Sequence, residues 1–332
     1  MKKRLTYRAS CQTLRRAKSP FCRPLPRLRL VYSIEYALVA AVRASKLALA
    51  RGRQNHRFFA VVEFGNWLCL LFFLPLSVFA LEVQPWFGDV YEFHLLSSYT
   101  YSRFHKIQGG DPSLTFPFQV NLMYFDLDFS PSPEWSIDVD LQVADTSRQS
   151  FNVRTAAIQA RYLWLDDIIG DRISFDTGAS IRFTPAYALH DVSCPSHGNA
   201  DFVLNFAIGK ELEATEDWLF RLWGYGEVGH ANRGSPWIRG ILAVETNLYD
   251  HHKFALYADG TSGYGRYTHI DVNHFDGYAK IRNKSIDLGF RYGYRIGVWG
   301  TMRFEYMRRV LARASPAQVN SWIFSYLLPF SL

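Results

Sequence analysis

The stretch WSIDVDLQVAD, Trp135 to Asp145, alternates without a break over its first nine residues. Ile137, Val139, Leu141 and Val143 share one parity; Ser136, Asp138, Asp140 and Gln142 share the other. A period of two places the two sets on opposite faces of a β-strand. One face is aliphatic and the other holds carboxylates, so the strand belongs where an apolar phase meets an aqueous one.

The same pattern runs outward in both directions. Phe175, Thr177, Ala179, Ile181 and Phe183 oppose Ser174, Asp176, Ser180 and Arg182. Ile238, Leu242, Val244 and Leu248 oppose Arg239, Glu245 and Asn247. Ile286, Leu288, Phe290, Tyr292 and Tyr294 oppose Asp287, Arg291 and Arg295. The spacing predicts about twelve strands, centred near residues 97, 123, 140, 159, 178, 206, 224, 243, 257, 286, 304 and 324. Connections after the even strands are short, and several after the odd strands are long, at 105–113, 185–199 and 260–274. Soluble β-sandwiches alternate too, but they hide the apolar face in a shared core and seldom charge the other face of nearly every strand. The expected fold is all-β, an antiparallel transmembrane β-barrel of about 12 strands. Trp86, Tyr101, Trp135, Trp164, Trp218, Trp237, Trp299 and Trp322 fall near strand ends and read as interfacial girdles. The chain stops on SWIFSYLLPFSL, residues 321–332, with Trp322, Phe324, Tyr326, Leu328, Phe330 and Leu332 at a spacing of two. Six large apolar groups on one face suit a last strand that closes a sheet inside lipid.

Charge divides the chain. The 332 residues carry 37 basic and 30 acidic side chains, for a formal net charge of +7. Residues 1–80 hold 15 of the basic groups and only two acids, Glu35 and Glu63, so residues 81–332 carry 22 basic and 28 acidic groups. The acidic body argues against a nucleic-acid partner. The run WLCLLFFLPLSVFA, 67–80, is too short to span about 30 Å of hydrocarbon, and Arg51, Arg53 and Arg57 precede it. Residues 56–80 are expected to be a signal peptide cut after Ala80, with an uncut anchor as the alternative. Residues 1–55 read as a basic N-terminal extension or a mis-assigned start, and 81–332 as the barrel. After such a cut Cys194 is the one cysteine left, so neither an intrachain disulfide nor a CxxC pair can form.

Export, alternating strands and the aromatic last strand together resemble bacterial outer-membrane β-barrel proteins of the porin type. The segment PWFGDVYEFHLLSSYTYSRFH, 85–105, is similar to the first strand of uncharacterised barrels of chlamydia-like bacteria. The resemblance implies residence in the bacterial outer membrane, contact with its lipid, and recognition by the barrel-assembly machinery. Tyr326, Leu328, Phe330 and Leu332 would form the assembly signal; Pro329 within the strand and a final Leu in place of Phe depart from the pattern.

The inner face defines the candidate site. Asp126, Asp128, Asp138 and Asp140 would make an acidic wall, with Arg161, Arg182, Arg221, Arg239, Arg291 and Arg303 on the remainder. Glu92, His94, Arg172, Asp176, Glu227, Glu245, Asp259, Asp287, Arg295 and Glu305 share that face. Opposed walls of this kind would pass small polar solutes or ions; the same charges could instead pair into a plug. Two further readings remain. A lipid hydrolase would draw on His190, Ser193, Ser196, His197 and Asn199, or on His230, Asn232 and Ser235, in a hydroxyl-imidazole relay. An adhesive barrel would use its loops. His190, Cys194 and His197 have loosely metal-like spacing, but no metal or cofactor is expected.

Overall fold

Each of the alternating segments becomes a strand. The computed structural model describes residues 83–110, 117–215 and 218–331, and the side chains of all of these except 213–215. The basic extension, the signal-peptide segment and Leu332 of the assembly signal lie outside the described residues.

Twelve strands close a barrel. They are β1 (Glu92–Phe104), β3 (Phe118–Ser132), β4 (Trp135–Thr146), β5 (Asn152–Leu165), β6 (Ser174–Phe183) and β7 (Ala200–Thr215), then β8 (Trp218–Ala231), β9 (Trp237–Leu248), β10 (His252–Gly263), β11 (Lys284–Arg295), β12 (Thr301–Arg313) and β14 (Asn320–Ser331). Two short strands, β2 (Lys106–Gln108) and β13 (Ser315–Ala317), pair with each other outside the barrel sheet. A one-turn helix α1 (Ala186–Leu189) lies in the connection after β6. All barrel pairings are antiparallel between neighbours, and β1 pairs with both β3 and β14. At the seam Ser102 and Ser321 hydroxyls meet at 2.7 Å, and Phe93 stacks on Phe330 at 5.3 Å. No helix among the described residues is long and apolar enough to cross a membrane.

The two faces separate by parity. Leu141, Ile158, Leu204, Leu242 and Leu256 are exposed on the outside, while Asp176, Asp201 and Glu227 on the same strands' neighbours are buried inside. Strands of 10 to 16 residues rise roughly 3.3 Å per residue, which at the usual tilt gives a wall about 25–40 Å high. That is enough for an apolar band of about 25 Å. Trp135, Trp164, Trp218 and Trp299 are exposed at the short-turn end, and Tyr162 meets Trp135 and Trp164 edge-on. Tyr101 stacks against exposed Trp322 at the other end. Trp86 and Trp237 are not girdle residues, because both turn into the barrel. Trp86 packs on the inner face of β7–β9, and Trp237, 2% exposed, stacks on His197. Arg172 and Arg295 are exposed at the turn end, since β6 starts only at Ser174 and β11 ends at Arg295.

Candidate functional site

Inward parity collects the charges on one surface, and register then decides how they meet. Asp126 faces Asp140 and Asp128 faces Asp138 across β3 and β4, an arrangement that destabilises a ladder unless cations or donors compensate. For Asp128 and Asp138, compensation comes from the sides. Ser136 Oγ donates to Asp128 at 2.7 Å, His94 Nδ1 lies 3.7 Å from Asp128, and Arg161 Nε lies 3.4 Å from Asp138. Asp259 faces Asp287 across β10 and β11 in the same way; Arg239 flanks the first at 2.7 Å and Arg309 the second at 2.8 Å. Arg291 pairs with Glu305 at 2.6 Å and Glu245 at 3.8 Å, and Arg221 pairs with Glu211 at 2.6 Å. Arg303 is buried on the same surface. Most of these pairs run laterally, between strands that are neighbours or nearly so.

The residues just ahead of β1 occupy the lumen at the short-turn end. Val83 and Trp86 pack on Ala207, Trp223, Tyr225, Ile241 and Ala243 of the inner wall. Gln84 Nε2 donates to both carboxylate oxygens of Glu245, at 2.9 and 3.0 Å, and its carbonyl accepts from Arg161 Nη1 at 2.9 Å. Arg221 sits 4.7 Å over the Trp86 ring and Arg161 4.9 Å over Phe87. Trp86 Nε1 donates at 2.8 Å to Asp167 in the β5–β6 turn. Burial would raise the Asp167 carboxyl, but hydrogen bonds from Ser174, Trp86 and the Glu211 N–H, with Lys210 beside it, hold it below the usual carboxylate range.

At the opposite end the connections 184–199 and 264–283 fold over the mouth as a small core of their own. Val192, Ile270, Val272, Phe275 and Tyr278 pack with Phe104, Phe118 and Ala314. Tyr278 donates to the Val192 carbonyl at 2.7 Å, and its backbone N–H to the Ser196 carbonyl at 3.1 Å. Burial raises the Tyr278 phenol, which stays a neutral donor. Gly277 joins the two loops at φ +78°; a Cβ there would meet the His197 carbonyl at 2.8 Å. Between the loop core and the N-terminal segment lies a chamber of about 350 Å³, lined among others by Asp140, Arg182, Trp237, Arg239 and Arg291. Sequence parity missed both inner fillings. The available signal was Trp223, Tyr225, Ile241 and Ala243, apolar side chains on a face otherwise charged.

Most of the candidate hydrolase residues are engaged elsewhere. His190 Nδ1 lies 2.8 Å from the Phe275 carbonyl, and His230 Nδ1 lies 2.6 Å from that of Ala231. The Ser196 hydroxyl accepts from Thr184 at 2.9 Å, Ser193 lies against Arg154, and Asn199 donates to the Thr184 carbonyl. Burial, with the Arg182 charge nearby, pushes His197 down to about 3 and keeps its ring neutral. Cys194 is buried with its thiol against Ser196, and no group of three or more His, Cys, Asp or Glu among the described residues is placed to hold a metal.

No protein-family model matches the chain, and no characterised protein matches it in sequence. Solved structures do. An outer-membrane channel from Pseudomonas putida F1 is similar with a TM-score of 0.52 at 11% identity, over 76% of this chain and all of that one. The NanC porin is similar at a TM-score of 0.45 and 13% identity, over 72% of this chain and all of that one. The first likeness, together with the closed ring of twelve strands, shows the fold: this is a β-barrel of the bacterial outer-membrane type.

Proposed function

We propose that the chain is a bacterial outer-membrane channel that lets small polar solutes cross passively through its charged lumen. The observation that carries this reading is the division of the wall, an exposed aliphatic and aromatic exterior around an interior of carboxylates and guanidinium groups. Lipid would solvate the outside, and closure satisfies every strand edge within it. The signal at 56–80 would export the chain, and Tyr326, Leu328, Phe330 and Leu332 would be read by the barrel-assembly machinery. On this reading Asp126, Asp128, Asp138 and Asp140 attract cations, and Arg161, Arg182, Arg221, Arg239, Arg291 and Arg303 balance them.

Planar-bilayer recording of the refolded protein tests it. Stable ohmic steps are expected, with a reversal potential that moves toward anions when the four aspartates become asparagine. A folded barrel that inserts and never conducts would overturn the reading.

A further inference from the structure

Most charges lining the chamber are paired, and a notch near its loop end is an exception. Asp140, Ala157 and Arg182 are direct register partners across β4, β5 and β6. Two strand spacings separate the end members by about 10 Å between Cα atoms. The middle position contributes only a methyl group, while Asp140 and Arg182 on either side of it both line the chamber.

Among the described residues, neither side chain forms an ion pair in the wall. Asp140 Oδ1 and Arg182 Nε are buried without a hydrogen-bond partner among the described residues. The acids whose field reaches Arg182 are Glu227, Asp140 and Asp201. Glu227 is paired with Arg239 at 3.5 Å and accepts from the Tyr225 hydroxyl at 2.9 Å. Asp201 faces Arg182 across β6 and β7 and accepts from the His197 backbone N–H at 3.5 Å, with its Oδ1 buried and unpartnered beside the notch. Above the notch, the His197 ring, within the field of Arg182, stacks on Trp237 at 4.8 Å and 6°. His197 Nε2 and Trp237 Nε1 line the same chamber, are buried, and have no partner. Unpaired buried polar groups in a native wall call for an occupant.

We propose that the notch binds a small zwitterion of amino-acid size, with its carboxylate on Arg182 and its ammonium group on Asp140. The proposal rests on the channel reading and names its solute class. A purely anionic solute would leave Asp140 facing like charge, and a purely cationic one would leave Arg182 so; only a solute with both charges satisfies both ends. The buried, unpartnered Trp237 indole N–H lines the same chamber and offers a further donor. A chamber of about 350 Å³ is at the small end of solute sites and holds an amino acid with a few waters.

Isothermal titration calorimetry on the full-length protein in detergent decides it, with three probes of one skeleton: L-glutamine, its C-terminal amide (a cation) and N-acetyl-L-glutamine (an anion). L-Glutamine is expected to bind, and each singly charged analogue to bind at least about ten-fold more weakly. Arg182→Gln should abolish the preference for the zwitterion over the cation. Ala157→Leu, which keeps both charges and adds bulk between them, should abolish L-glutamine binding in a barrel that still shifts on heating in electrophoresis. Equal binding of L-glutamine and its N-acetyl form, or no binding of any probe to folded protein, overturns the site. Bilayer recording on the same preparation separates the two ideas. Conductance without binding removes the zwitterion site alone, and binding without conductance removes the channel reading alone.

Discussion

The two ends of the lumen are filled by different physics. At the loop end, connections from distant parts of the chain share an apolar core of Val192, Ile270, Val272, Phe275 and Tyr278 and exchange backbone hydrogen bonds. At the turn end, a single short segment from Val83 onward sets only Val83 and Trp86 on the apolar inner wall and is otherwise held by an amide on Glu245, an indole on Asp167 and two cation–π contacts. Burial is non-directional and accumulates over many atoms; a few polar tethers can be exchanged for water at small net loss. The loop core is therefore the firmer filling, and the segment is the more lightly held stopper.

The sharpest way to break this contrast is to hollow the firmer filling. Phe275→Ala should cost about 3–5 kcal/mol and lower the denaturant midpoint of the whole barrel; a loss below about 1 kcal/mol would mean that the loop core rests loosely. Acid attacks the same end more mildly. Burial holds His197 near 3, whereas an unfolded histidine takes its proton near 6.5. The unfolded state thus binds more protons between these values, and stability is full above about 6.5 and falls as the pH drops toward 3. From pH 7 to 4.5 the loss is on the order of 2–3 kcal/mol. Thermal midpoints at the two pH values should show it, and His197→Gln should flatten the difference.

The stopper should yield to less. Trp86→Phe keeps a ring beneath Arg221 and removes only the donor to Asp167, which is worth about 1.5 kcal/mol. On the channel reading, the fraction of time spent in the open level should rise roughly ten-fold in single-channel records, with the denaturant midpoint of the barrel unchanged. Because hydrogen bonds and Lys210 depress Asp167, its hold persists above the ordinary carboxylate range and is lost only as the pH falls through a lower value. Smallest of all, Glu211→Gln parts Arg221 from a half-exposed partner and should change stability by about 0.5 kcal/mol. A large effect there would make that pair part of the stopper's seat.

Most of the fold was legible because an apolar outside and a charged inside impose a period of two on every strand. All twelve expected strand centres, from 97 to 324, fall within the observed barrel strands. The interior was harder to read. Parity says that Asp128 and Arg161 point inward; it does not say whether they meet neighbours or the opposite wall, since that depends on register and on side-chain reach. Trp86 and Trp237 show the same limit. A tryptophan at a strand end looks alike whether it faces headgroups or folds into the mouth, and only the partners, Asp167 for one and His197 for the other, tell them apart. The loop core was hidden because Val192, Ile270 and Phe275 are scattered among polar residues and gather only when the barrel brings their loops together.

The seam between β1 and β14 bears on how the molecule comes into being. Ser102 and Ser321 touch although they are 219 positions apart in the chain, so this contact cannot form until almost the whole sequence has been made. Loop-closure entropy of that size makes the seam the slowest of the strand pairings. A chain shortened by one strand would keep ten of its twelve strand pairings and still present two bare edges, which an apolar surrounding tolerates least. Closure of the ring therefore waits on β14, which alone bridges β1 and β12.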